Sequence, residues 1–198
     1  MTGTAEPEER NPEKRNTSTD VVDGLRVRRE APDDHEAIAQ VVSAAFASPA
    51  EARLVEAIRA SDNYIAELAM VAELGGRIVG HVMISDVGLD AAGGRQRVAS
   101  LSPLAVAPAF QRRGIGAALV RAVTAEADRR GEPLVVLEGD PSYYGRFGFE
   151  HSVPHGIEMP LPSWAPPEAA QILRLGSYDA SIVGRVVYPP AFDQVTGD

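Results

Sequence analysis

The sequence predicts an α/β protein of the α+β type, built on a single mixed, mostly antiparallel sheet with helices on both faces. Three observations lead there. Apolar, β-rich runs joined by short glycine turns occupy the stretch from about residue 68 to residue 106, the pattern of antiparallel neighbours. Two amphipathic segments precede them and a third follows. That third segment separates the last long run from "PLVVLEG", and a crossover through a helix sets two strands parallel. A length of 198 residues suits one domain with a substantial core.

The elements follow in order. Residues 1–23 are polar and charged, lack the apolar core of a secretory signal, and read as a disordered tail before a domain spanning 24–198. In "GLRVRRE", Leu25, Val27 and Arg29 alternate with Arg26, Arg28 and Glu30 as a short strand whose arginines face solvent. "DDHEAIAQVVSAAF" is helical, with Asp33 or Asp34 as cap and Ile38, Val41, Val42, Ala45 and Phe46 inward. "PAEARLVEAIRAS" is a second helix that turns Leu54, Val55 and Ile58 inward. "AMVAEL", Gly75-Gly76 and "RIVGHVMISDVGL" form a hairpin. A turn at "DAAGG" leads into the long central strand "RQRVASLSPLAVAP". A helix from about Gly114 to Arg130 buries Ile115, Leu119, Ala122 and Val123 and stops at Gly131. After "PLVVLEG" comes a short helix or turn, "PSYYGRFGFEHS". A proline-spaced remainder follows, with strand-like pieces at "GIEMPL", "QILRL" and "GRVVYP".

Composition excludes several classes. A net charge of −9 provides no global field for nucleic acid or an anionic membrane, so any anion must be held locally. The absence of cysteine removes disulfides, thiolate metal sites and cysteine nucleophiles. No apolar run approaches the roughly 20 residues of a membrane span, and the expected location is cytoplasmic. The four histidines lack metal-ligand spacing, so no metal is expected. No G-x-S-x-G hydrolase elbow is present.

The chemistry concentrates at the junction "LAVAPAFQRRGIGAALV", residues 104–120. A Walker loop needs Gly-Lys-Ser/Thr, which is missing, and Leu119 stands where a Rossmann fingerprint needs its third glycine. A helix N-terminus, by contrast, presents unpaired N–H groups and a positive dipole end to phosphate. Gly114 and Gly116 clear side chains from that end, while Arg112 and Arg113 add charge. Upstream, "LAV" ends a strand where Pro108 and a bulge leave backbone groups free. A ligand with a pyrophosphate and an extended amide-bearing arm suits this geometry, and coenzyme A has both. A bare glycine-rich strand–helix turn with solvated arginines is the plain alternative.

The same segment resembles the signature of the GNAT superfamily of acetyl-CoA-dependent N-acetyltransferases, whose phosphate loop reads Q/R-x-x-G-x-G/A. Gln111, Arg112, Arg113, Gly114, Ile115, Gly116 and Ala117 fill that pattern. The hydrophobic-Ala-Val-x-Pro run before it and "FGF" about thirty residues later are similar too, so the resemblance covers about Leu25 to Ser152. It implies an acyl-CoA N-acyltransferase fold in which the Gln111–Ala117 backbone binds the pyrophosphate. Leu104, Ala105 and Val106 would pair with the pantetheine arm like an added strand. Residues 153–198 would complete the sheet and shape the acceptor side. The implied reaction moves acetyl from acetyl-CoA to a primary amine, on a small molecule or on a protein lysine or N-terminus. A homodimer through edge strands or C-terminal segments is compatible with such folds.

Direct transfer needs a neutral amine, a polarised carbonyl and a proton for the departing thiolate. The family often carries a tyrosine five residues before the last aromatic of its Gly-Phe pair, which here is Tyr144, with Tyr143 as the second candidate. A phenol stays protonated at neutral pH. The pair, with Phe147 and Phe149, also reads as an aromatic plug on the sheet. Relatives use a glutamate on the central strand as base, where this chain has Ser100 and Ser102. Glu138, Asp140, Asp86, Glu73 or a water chain are left as candidates. "EGDPSYY" also lacks the asparagine that relatives use on the pantetheine. Trp164 is expected to pack under its loop. A non-catalytic acyl-CoA-binding module is the rival reading.

Overall fold

A computed structural model describes residues 22–196, so the expected tail lies outside the described residues apart from Val22 and Asp23. Strand β1 (Leu25–Arg29) leads to α1 (His35–Phe46) and α2 (Ala50–Arg59). Then β2 (Tyr64–Leu74), β3 (Arg77–Ala91) and β4 (Gly94–Val106) run as a meander. Gly75 and Gly76 both have positive φ in the first turn, where two left-handed residues match the twist of the paired strands. Helix α3 (Ile115–Arg130) crosses to β5 (Leu134–Glu138). The remainder holds α4 (Pro141–Tyr144), β6 (Glu150–His151), β7 (Ile157–Glu158), β8 (Ala170–Arg174), β9 (Gly184–Val187) and α5 (Asp193–Thr196).

The spatial order is β1-β2-β3-β4-β5-β8-β6, and β9 pairs with the far half of β3 while carrying β7 on its other side. All pairs are antiparallel except β4–β5 and β7–β9. Alternation along the strands makes two cores. Met83, Val87, Leu89, Val98, Ala105 and Val136 face α1 and α2. Val82, Ile84, Ala99, Leu101, Val135 and Leu137 face α3, whose Ile115, Leu119, Val120 and Val123 are buried against them. Gly80 is where α3 comes closest, since a Cβ there would lie 2.9 Å from a Leu119 methyl carbon.

A buried polar cluster fastens the helical hairpin to the sheet. Glu30, just past β1, accepts from Arg59 Nε and Nη2 at 2.7 and 2.9 Å and from Tyr64 Oη at 2.9 Å. Fully buried His81, on β3, places its Nε2 2.9 Å from Glu30 Oε2, the oxygen that Arg59 Nη2 also reaches. Burial alone would raise the Glu30 carboxyl, but His81 and Arg59 hold it well below the usual range. Burial pushes His81 down despite the carboxylate, so the neutral ring donates from Nε2, and its Nδ1 has no partner among the described residues.

Several expectations change. Arg28 is no solvated charge: it binds Asp34 at 2.6 Å and Glu73 at 2.8 Å. Asp34 is thereby drawn from capping α1 and accepts from Ala31 N instead. Phe46, expected inward, is 41% exposed at the last position of α1, where Ala47 (φ 53°) ends the helix. Trp164 is 81% exposed, in a loop whose flanking Pro162 and Pro166 offer no N–H to the sheet.

The cluster makes acid destabilising. The unfolded chain binds a proton at histidine below about pH 6.5, whereas folded His81, with its lowered pKa, resists it. Its contribution is therefore present above that pH and lost as pH falls. Urea unfolding at pH 7 and pH 5 is expected to differ by up to about 2 kcal/mol more in the native chain than in His81→Gln. Equal differences in the two chains would contradict this assignment.

Candidate active site

Strands β4 and β5 are joined only by Ala99–Val135 and Ser100–Val136. Beyond Ser100 they part, and the divergence coincides with a register shift in β4, where Leu101 opposes Ile84 but Leu104 opposes Val82. On its other side β4 continues along β3 to Val106, which opposes Gly80. Ala107 N donates to Val79 O at 2.9 Å, so by alternation Ala105 spends its backbone groups on β3. Those of Leu104 and Val106 face the gap. The expected triplet thus divides: Leu104 and Val106 offer backbone, while buried Ala105 is a spacer whose side chain sits in the other core.

The gap leads to the loop before α3. Gln111 Nε2 donates back to Val106 O at 3.0 Å, closing the loop on the end of the strand. Arg112 (φ 57°) and Gly114 (φ 81°) are both left-handed, a backbone that costs a non-glycine residue strain. Ala118 N, bonded to Gly114 O at 3.0 Å, makes the first helical hydrogen bond. The N–H groups of Ile115, Gly116 and Ala117 precede it and have no intrahelical partner. Arg112 and Arg113 are exposed, with the Arg113 guanidinium 5.5 Å from the Phe110 ring centre. Ile115 and Ala117 turn their side chains into the core, so, like Gly114 and Gly116, they contribute only main chain to the loop.

The two tyrosines separate by neighbourhood. Tyr143 reaches toward α3: its hydroxyl would lie 2.6 Å from a Cβ built on Gly116. Tyr144 lies over the end of β5, where a Cβ on Gly139 would overlap its ring, and it packs edge-on to Phe149 with centroids 5.7 Å apart. Burial pushes the Tyr144 phenol well above its ordinary value. The aromatic plug is therefore present, and both tyrosines belong to it.

The candidate carboxylates also separate. Glu73 is held by Arg28, Asp86 by Arg97 at 3.0 Å, and Asp140 accepts from Ser142 N at 2.8 Å at the start of α4. Glu138 ends β5 on the opposite sheet face from Leu137, opens to solvent and has no ion-pair partner among the described residues. Desolvation by its surroundings pushes its carboxyl above the usual range. Sequence reading could not rank these four, because Glu73 meets Arg28 across 45 positions and the open position of Glu138 appears only in the fold. The Glu30–Arg59–His81 cluster escaped it for the same reason.

A groove of about 580 Å³ lies elsewhere, between α1 and the β2–β3 turn. Arg28, Gln40, Glu73, Ile78 and Phe110 are among its walls, and it includes none of Gly114–Ala117, Tyr144 or Glu138. Among the described residues no cluster of three acidic or histidine side chains is placed to hold a metal ion. No described helix is long and apolar enough to cross a membrane.

Residues 26–152 match the family model of the acetyltransferase (GNAT) domain. The chain is 31% identical over 172 residues to the Escherichia coli (strain K12) protein named uncharacterized N-acetyltransferase YhbS, covering 86% of this chain and 99% of that one. The crystal structure of E. coli YhbS in complex with CoA superposes with a TM-score of 0.75 over 85% of this chain and 92% of that one, at 31% identity. A GNAT family acetyltransferase from Brucella melitensis, crystallised with acetyl-CoA, gives 0.68 at 32% identity, covering 85% and 98%. A family-model match over residues 26–152, with relatives covered almost end to end, has one meaning: the chain belongs to the GNAT family of acetyltransferases.

Proposed function

We propose that the chain transfers the acetyl group of acetyl-CoA to a primary amine by direct attack on the thioester. One observation supports this above the others: the opened β4–β5 edge runs straight into a helix N-terminus cleared by Gly114 and Gly116. An extended arm would take the place of a missing strand along Leu104 and Val106. Its pyrophosphate would then meet the N–H groups of Ile115, Gly116 and Ala117, with Gln111, Arg112 and Arg113 at the rim. The two relatives whose crystals contain CoA and acetyl-CoA favour the same ligand.

In this reading the amine nitrogen attacks the carbonyl carbon, the C–S bond breaks, and the thiolate takes a proton from Tyr144 Oη. That hydroxyl has no hydrogen-bond partner among the described residues, and its raised pKa keeps the proton in place until a strong acceptor develops. The ammonium proton passes to Glu138, directly or through water, since it alone of the four candidate carboxylates is uncommitted and its raised pKa brings it nearer neutrality. The acceptor is an amine of a small molecule or of a protein. The acidic chain favours a cationic one.

Steady-state assays with acetyl-CoA and a panel of amines test the scheme. Tyr144→Phe is expected to lower kcat about tenfold to a hundredfold with little change in acetyl-CoA binding. Glu138→Gln is expected to lower kcat at neutral pH by a similar factor and to remove an acidic limb lying above the usual glutamate value of about 4.3. Gly116→Val pushes Tyr143 aside and crowds the helix end, raising the acetyl-CoA Kd about tenfold. Binding of CoA without acetylation of any amine would identify the rival binding module.

A further inference from the structure

Several exposed guanidinium groups of this acidic chain meet a carboxylate: Arg29 reaches Glu126, Arg95 Asp90, Arg97 Asp86 and Arg174 Glu150. Four around the α3 N-terminus do not. Arg112 and Arg113 belong to the phosphate loop. Arg121 and Arg146 form a second group, held by aromatic rings instead of acids. The Arg121 Cζ lies 5.4 Å from the Phe147 ring centre. The Arg146 Cζ lies 4.9 Å from the same centre and 4.1 Å from that of Tyr143.

A guanidinium stacked on a ring is fixed through its flat face, which leaves the N–H donors in its plane free to bind a phosphate in two-point fashion. Two such groups on one aromatic shelf, neither with an ion-pair partner among the described residues, make a preformed anion site. Its place in the molecule narrows the ligand. Arg121 is seven residues past Gly114, about 10 Å along the helix, and helical side chains lean toward the N-terminus. Tyr143 continues the shelf to Gly116, so the shelf adjoins the open N–H groups without a break.

From this arrangement we infer that Arg121 and Arg146, on the shelf of Phe147 and Tyr143, receive a second phosphate one ribose away from the pyrophosphate: the 3′-phosphate of coenzyme A. The inference rests on the proposed acetyl-CoA reading and deepens it. The chain then discriminates between CoA and 3′-dephospho-CoA, although the two present the same pyrophosphate and the same pantetheine arm. Both arginines are exposed and their loss removes no buried contact, so the variants fold.

Calorimetric titration of the full chain with CoA and with 3′-dephospho-CoA tests it, using native protein, Arg121→Ala, Arg146→Ala and the double variant. Arg26→Ala, an exposed arginine on β1, serves as control. Native protein and the control are expected to bind CoA at least about tenfold more tightly than the dephospho form. In the double variant that ratio falls toward one through weaker CoA binding, while binding of 3′-dephospho-CoA stays as in the native protein. Equal binding of the two ligands by native protein, or equal weakening of both by the substitutions, overturns the subsite and leaves the acetyl-CoA reading standing. Failure of native protein to bind either ligand overturns both.

Discussion

The short contact between β4 and β5 is the constraint on which the rest of the site depends. Two residue pairs hold the strands together, and then the register shift in β4 lets them diverge. A backbone donor or acceptor left without a partner inside a protein costs roughly 1–3 kcal/mol, so an open sheet edge in the middle of a fold calls for a ligand or water. Everything else is arranged around that gap: α3 points its N-terminus at one end, Gln111 ties the loop to Val106, and Tyr144 lies over the end of β5. β8 then pairs with the outer edge of β5, so the divergent strand has a neighbour on its far side and keeps its place.

The helical hairpin needs a different kind of anchor. Helices α1 and α2 bury Ile38, Val41, Val42, Leu54, Val55 and Ile58, and such apolar contact has no direction of its own. The Glu30 cluster adds a directional link by bringing the end of β1, the end of α2, the start of β2 and the middle of β3 onto one carboxylate. Breaking a buried pair of this kind by removing one partner costs about 3–5 kcal/mol. Such a link fixes where the hairpin sits on the sheet, which apolar contact alone, being non-directional, does so less sharply.

Much of this was legible from the chain itself, for identifiable reasons. The meander showed because Gly75-Gly76 lies between alternating runs, and the α3 boundaries showed because glycine stands at both ends. The phosphate loop is contiguous, so its residues could be read together. What stayed hidden depends on residues far apart in sequence. Arg28 meets Glu73 across 45 positions, and His81 meets Glu30 across 51. Neither periodicity nor spacing carries such pairings. The same holds for the carboxylates: Glu138 stands out only once Arg28, Arg97 and Ser142 are seen to occupy the others. Arg121 and Arg146 lie 25 positions apart and become a pair only through Phe147. Within the Leu104–Val106 triplet, alternation turns the Ala105 backbone to β3, since a triplet in a strand cannot present all three backbones to one side.

The alternation that sorts the two cores has one more consequence. Leu104, Val106 and Tyr144 associate with the α3 layer, whereas Glu138 lies on the side of β5 that carries Val136 and faces the helical hairpin. A donor lying along the first layer and an acceptor approaching from the second would meet through the slit between the strands, each with its own doorway. On the proposed reading neither would have to leave for the other to arrive, and the acetyl group would need no resting place on the protein. A chain without a single cysteine is suited to that traffic pattern.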